Sequence, residues 1–419
     1  MNRIMRALSV QAAGVVGLLA LAGCAKAPEP EAAAPVTSVV YEGATVLAGE
    51  GLAPIDNGVL VVDQGRIVAV GAAAAVTVPA GAARVDLKVK TVMPAIIDAH
   101  THLSTNRDAL LLDLKRRAYF GVAAALSLGT DGEGTPLEVR GEVIPGSARY
   151  RSAGLGITAP EPGRNPVHWV TTEEEARAAV QAEIARKVDF IKVWVDDRDG
   201  KYKKLSPALY GAAIDEAHKA GLKVAAHIFA LQDAKELLRV GIDIFAHGVR
   251  DRDIDDEFIA MVKERPNVVL IPNMGARGVV ADLAWLNGKL SAEDLAKLEE
   301  ANKEQPPLQK AYGIQARNLK KLSDAGMTIA FGTDGNTPWG PHVEMEDMVI
   351  AGMTPAQVLV SATRNAAAVA GFADQGTLEA GKSADFVVLD ANPVDDILNT
   401  RKIADVYLRG EKVDRGAYP

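Results

Sequence analysis

The chain is poor in cysteine: there is one, Cys24, in 419 residues. No intramolecular disulfide and no cysteine-based zinc cluster can form. There is no excess of positive charge. Lys plus Arg number 46 against 54 Asp plus Glu, a net charge of −8, which makes nucleic acid a poor first choice of partner. Aromatic residues make up only 5%. No collagen-like, coiled-coil or multi-span membrane pattern is present. What is abundant is Ala, Val and Gly, in a chain that is 48% hydrophobic and long enough for a large core with one appended module.

The N-terminus reads as an export signal. A basic start with Arg3 and Arg6 precedes an apolar run from Ala7 to Ala22, which is too short and too interrupted for a good membrane span. Leu21-Ala22-Gly23-Cys24 resembles the lipobox of bacterial lipoproteins, which implies cleavage after residue 23, a diacylated Cys24 and anchoring in a membrane facing the periplasm. Ala25 after the cysteine favours the outer membrane. Loss of residues 1–23 removes two arginines and no acid, taking the mature charge to −10. Residues 24–35, rich in Pro, Ala and Glu, form a lipidated tether.

Val39–Leu47 and Gly58–Val70 read as strands, with Arg66–Gly71 as the second arm of a hairpin. Gly376–Leu378, Ala384–Leu389 and Val406–Val413 look similar, so residues 36–91 and 366–419 are expected to form one small β module. Between them, in 92–365, apolar runs alternate with helix signals. The runs are Val92–Ile97, Val122–Leu128, Leu155–Thr158, Phe190–Val195, Val224–Ile228, Ile242–Ala246, Val268–Ile271 and Ile329–Phe331. Thr172/Glu175, Ser206-Pro207 and Ser291/Asp294 mark helix starts. The expected fold is α/β: a (β/α)8 TIM-like barrel with a small β-sandwich module built from both chain ends.

Seven histidines are present, at 100, 102, 168, 218, 227, 247 and 342, and four of them sit at or just after a predicted strand end. His100 and His102, two apart on an extended chain, share one face and can reach one cation. His227 and His247 each close an apolar strand, and Asp334 follows another. Singly, such a histidine is more often a satisfied core or loop residue, and such an aspartate a helix N-cap. Together they are not so explained. Barrel strands all open on one face, so four imidazoles and one carboxylate would converge there, a donor set suited to zinc or a similar divalent ion. Lys192 lies in an otherwise apolar strand, where a charge is costly unless paired or neutralised. A lysine at a strand end beside Asp189 or Asp196 explains it equally well.

These motifs resemble the amidohydrolase superfamily: Pro94–Leu103, Phe190–Lys192, Val224–His227, Ile244–Gly248 and Phe331–Asp334, with Gly352–Pro355, Ala362–Asn365 and Gly376–Asp385 further on. The resemblance covers nearly all of residues 40–415. The 20-residue step from His227 to His247, with Pro341-His342 after the last strand, resembles the branch of prolidase-like dipeptidases and imidazolonepropionase relatives. It implies two divalent metal ions, zinc being the expected kind. His100, His102 and Asp334 would bind one, His227 and His247 the other, with a carboxylated Lys192 bridging both. It implies a hydrolase cleaving an amide-type (peptide, N-acyl or cyclic amide) or related ester bond by attack of a metal-bridging hydroxide, with Asp334 as the catalytic proton shuttle. Phe229, where many peptide-cleaving relatives carry Tyr or His, departs from the pattern. Substrate contacts are expected from Phe229, Trp194 and His342, with a weaker claim for His168; His218 reads as a solvated helix face. Two alternatives stand beside this. A mononuclear deaminase would need an acid shortly after His227, and the next are Asp233 and Glu236. A non-catalytic cell-envelope binding lipoprotein would be expected to lack a ligand, and all six positions are filled. A small-molecule substrate is the expected partner; homo-oligomerisation stays open.

Overall fold

The computed structural model describes residues 37–132 and 134–419, of which 37–419 form one compact unit. The signal peptide 1–23, Cys24 and the tether to residue 35 lie outside the described residues. Among those described, no helix is long and apolar enough to cross a membrane.

The centre of the chain alternates strand and helix. Strands Ile191–Val195, Val224–Ile228, Ile244–Ala246, Val269–Ile271 and Thr328–Ile329 pair in parallel in that order. Helices Pro207–Lys219, Leu231–Val240, Asp256–Lys263 and Pro306–Asp324 fall between them. Buried on both faces, the strands carry the near-continuous apolar runs typical of a covered parallel sheet. Two two-residue strands, Ile157–Thr158 and His168–Trp169, extend this sheet to seven. A second parallel sheet holds Ile96–Thr101, Val122–Ser127 and Arg149–Ser152.

Backbone hydrogen bonds run from each edge of the smaller sheet to the larger. Ala99 N donates to Phe331 O at 2.9 Å and Thr333 N to His100 O at 3.0 Å. On the other side Asp189 N donates to Ser152 O at 2.9 Å and Gly156 N to Gly129 O at 2.8 Å. Arg149–Ser152 was not among the expected strands; its two arginines hide the apolar signal, although Tyr150 and Ser152 are buried. Thr172 and Glu175 form the expected capping box, and Ser291 accepts from Asp294 N. Ser206 occupies the N-cap before Pro207 without a side-chain hydrogen bond.

The two chain ends do meet. Val39–Ala48, Ala53–Asp63 and Arg66–Ala72 are joined through Thr91–Pro94 to Phe386–Leu389, Ile403–Leu408 and Glu411–Lys412. Hydrogen bonding links them, with Ala83–Asp86, into one eight-stranded mixed sheet, where a small sandwich was expected. Tyr41, Phe386 and Tyr407 pack their rings at 4.6–5.0 Å across the two contributions. Residues 376–378 are not a strand, and the expected division after residue 91 falls inside Thr91–Pro94.

Candidate active site

Parallel strands that open on one side bring their last residues together. His100 is the last residue but one of strand Ile96–Thr101, with His102 just beyond its end. Lys192 is the second residue of Ile191–Val195, and His227 the fourth of Val224–Ile228. His247 immediately follows Ile244–Ala246, and Asp334 lies five residues past Thr328–Ile329. Two of these positions have left-handed backbone: His247 at φ 101° and Asp334 at φ 55°. Such conformations are costly for non-glycine residues and cluster at functional sites.

The focus is the Asp334 carboxylate. Its Oδ1 lies 3.1 Å from His100 Nε2 and 3.0 Å from His102 Nε2, and its Oδ2 is 3.4 Å from His247 Nε2. His100, His102 and Asp334 offer ligand atoms within 4.8 Å of one another. Lys192 Nζ is 3.5 Å from His100 Nε2. His227 packs on His247 with ring centroids 4.4 Å apart, and its Nε2 is 3.1 Å from Asp196 Oδ2. All five residues named for metal binding besides Asp334 are thus gathered around it.

Burial decides the protonation states. Desolvation pushes His100 down to about 4 and His227 to about 3, with the Lys192 charge adding to both, and takes His247 well below its ordinary value. It also lowers Lys192 to about 7; among the described residues no carboxylate lies within 4 Å of this amine. Burial opposes the Asp334 charge, but His100 and His247 hold that carboxyl well below the usual carboxylate range. His100, His227 and His247 are therefore neutral imidazoles beside an ionised carboxylate.

Supporting residues fix which nitrogen faces inward. His100 Nδ1 donates to Asn273 Oδ1 at 2.8 Å, and His102 Nδ1 pairs with Thr130 Oγ1 at 2.8 Å. With its proton on Nδ1, His100 turns an Nε2 lone pair toward an anionic oxygen at 3.1 Å. Lone pair against anion is repulsive unless a cation lies among them, so the donor set fits a divalent metal. Beneath it, Asp98 and Arg117, both fully buried, pair at 2.8 Å. Asp98 accepts from Thr333 N and Oγ1, and Arg117 donates to Gly335 O, so this pair grips the residues on both sides of Asp334.

Other expected site residues are placed differently. His342 is not brought to the cluster. It is buried against Phe120 and Trp285, with Nε2 donating to Phe120 O at 3.0 Å and Nδ1 near Thr400 Oγ1 at 3.1 Å, so both ring nitrogens are committed and the expected substrate contact is corrected. It sits in the first turn of Gly340–Ile350 and faces the C-terminal segment, not the strand ends. Trp194 lies on the Lys192 side, Nζ 5.6 Å from its ring centroid, but is 3% exposed and wedged where Gly129 and Gly156 leave room. Phe229 is part-exposed at the rim. His168 is engaged by Glu183 at 2.8 Å, and His218 by Asp243 at 2.8 Å on an exposed helix face. Asp233 pairs with Lys204, and Glu236 bonds Tyr210 and Gln232, so neither acid after His227 is engaged with the cluster. The sequence reading passed over Asn273 and Arg250. Asn273 follows a strand end, the signal used for the histidines; nothing local marks Arg250.

Fold and cluster together define a hydrolase-type metal-ligand arrangement, and comparison with known proteins agrees. Residues 91–413 match the amidohydrolase family, and the chain belongs to it. The imidazolonepropionase of Deinococcus radiodurans is 25% identical over 383 residues, covering 86% of this chain and 92% of that protein. The ochratoxinase of Aspergillus niger is 28% identical over 259 residues, 58% of this chain and 50% of the enzyme. A solved structure from Bifidobacterium longum, assigned as a prolidase, superposes with TM-score 0.76 at 28% identity, covering 92% of this chain and 96% of that one.

Proposed function

We propose that the chain is a binuclear metal-dependent hydrolase of an amide-type bond, built on a (β/α)8 barrel. The observation that carries this is the convergence of three imidazole Nε2 atoms on the two oxygens of Asp334. The backbone bonds at both edges of the parallel sheets support the barrel, and the named relatives, an imidazolonepropionase and an ochratoxinase, support the class of bond.

His100, His102 and Asp334 would hold one ion, His227 and His247 a second, and Lys192 both, once carboxylated. The ions would supply Lewis-acid polarisation of a carbonyl and a nucleophile at neutral pH. A lysine lowered to about 7 has a neutral amine available to carbon dioxide, which makes its carboxylation chemically accessible. Asp334 is the proton carrier: ionised at neutral pH, it accepts a proton at Oδ1 or Oδ2 and returns it to the leaving nitrogen. Asn273 holds the His100 tautomer that faces Nε2 inward, and Thr130 orients the His102 ring. Phe229 offers no hydrogen bond to a substrate carbonyl. The deaminase alternative loses ground because Asp233 and Glu236 are spent elsewhere.

The test is elemental analysis of a chain beginning after Cys24, purified without chelator in bicarbonate, followed by assay on N-acyl amino acids, dipeptides and cyclic amides. About two zinc-like ions per chain with turnover lost on chelation is expected. No metal after reconstitution overturns the reading. We propose further that Cys24 is lipidated and tethers the enzyme on the periplasmic side of the outer membrane. Labelling with a palmitate analogue, lost in Cys24→Ala, checks this.

A further inference from the structure

Three arginines surround the rim of the cluster, and their charges are balanced unequally. Arg164 stacks on Trp194 at 4.9 Å and pairs with Glu161 at 2.9 Å. Arg198 pairs with the same Glu161 at 3.2 Å and with Asp196 at 2.6 Å. Asp196 is in turn 3.1 Å from His227. Two carboxylates thus neutralise two guanidiniums.

Arg250 is left over. It lies three residues after His247, part-buried, and among the described residues no carboxylate stands within 4 Å of it. Its backbone N donates to Phe229 O at 2.9 Å, and its Nη2 to Ile228 O at 3.0 Å. Its Nε is buried with no hydrogen-bond partner among the described residues. The neighbouring Asp251 is turned away, accepting from Leu231 N at 2.9 Å and pairing with Arg252 at 2.7 Å. The guanidinium rests on the Phe229 ring, 5.4 Å from its centroid. A cation held on an aromatic shelf, with Nη2 anchored to Ile228 O, keeps the rest of its fork oriented. Burial pushes this guanidinium below its ordinary range, while Asp196 and Asp334 act on it in the opposite direction from beyond pairing distance. It therefore lies within the field of the cluster without being neutralised by it. A buried donor left unpaired is costly, and a carboxylate is the partner that the fork fits.

We propose that Arg250, shelved on Phe229, is a specificity residue that binds a carboxylate carried by the substrate, so that the site prefers an N-acyl amino acid or peptide with a free carboxylate over its neutral counterpart. This rests on reading the cluster as a hydrolytic site. It also gives Phe229 a role consistent with its lack of a polar atom: it orients the residue that recognises the substrate.

The test separates the two readings. Binding of 3-phenylpropionate and of its neutral partner 3-phenylpropanol is measured calorimetrically on the zinc-reconstituted chain, with metal content checked for every variant. The wild type should favour the acid on the order of 10-fold or more, and Arg250→Gln should weaken acid binding roughly 10- to 100-fold, the range of a charge-assisted hydrogen bond. Arg250→Lys, which keeps the charge and loses the fork, should fall between, and carries the test should the glutamine variant fail to fold. Equal affinity of the wild type for acid and alcohol, or an undiminished preference in either folded variant, overturns the inference. Turnover of amides with no acid preference overturns it alone. Absence of bound metal and of turnover, with the acid preference intact, overturns only the hydrolase reading.

Discussion

Replacing Asn273 by glycine removes one side chain that touches no ion and should still weaken metal binding. Asn273 Oδ1 accepts from His100 Nδ1 at 2.8 Å, where His100 is fully buried and Asn273 only 3% exposed. Water cannot readily replace the lost acceptor. An unpaired buried donor costs about 1–3 kcal/mol, and the His100 ring is freed to place its proton on Nε2, where no ion can bind. At about 1.4 kcal/mol per decade, zinc affinity should fall roughly 10- to 100-fold, the usual effect of removing such a support. Backbone and side-chain effects can be separated, because Asn273 has φ 45°. Glycine adopts this freely, whereas alanine pays about 1 kcal/mol or more. Asn273→Gly and Asn273→Ala should therefore lose the same metal affinity, and both should be less stable than wild type in urea without metal, the alanine variant by about 1 kcal/mol more than the glycine variant. Affinity is read by competition with a chromophoric chelator. Wild-type zinc affinity in Asn273→Gly would refute the argument.

Other perturbations bear on the same architecture. Lys192→Ala should halve the metal content and abolish the carbamate signal that carbon-13 bicarbonate gives by NMR in the wild type; reactivation at a fixed concentration of dissolved carbon dioxide should speed up as pH rises through about 7, because only the neutral amine reacts. Arg117→Leu leaves Asp98 buried without its ionic partner, so urea titration should show a loss of about 3–5 kcal/mol, with Arg117→Leu/Asp98→Leu costing less than the single change. Gly332→Ala would place a Cβ 2.7 Å from the His100 Cβ, and should reduce zinc affinity at unchanged ligand composition. The metal-free protein should lose stability as pH falls from 6.5. His100 and His342 have folded-state values of about 4 and 3, so the unfolded chain takes up their protons first, and the loss continues until the folded chain protonates too, at about 1.4 kcal/mol per unit and residue. A flat stability profile between pH 6.5 and 4 would contradict this.

The sequence by itself determined the strand-and-helix alternation and singled out the residues that the structure gathers around Asp334 and that are proposed to hold metal. Both depend on local regularities: apolar runs of strand length, and a polar residue at the point where each run stops. Strands Val224–Ile228 and Val122–Ser127 were legible because burial on both faces demands such runs. Arg149–Ser152 was not, because arginines that pair with Asp374 and Asp189 look exposed in sequence. The joining of both chain ends was also legible, but not the continuity of that sheet. Only the tertiary structure decided the rest. His342 looked like a site residue because it follows the last strand, yet the helix that carries it turns its ring toward Phe120 and Thr400. Asn273 and Arg250 look unremarkable in sequence, because their importance lies in the partner each meets or lacks. A ligand's identity is written in residue type and spacing; its tautomer, its support and the one unbalanced charge beside it are products of how distant segments pack.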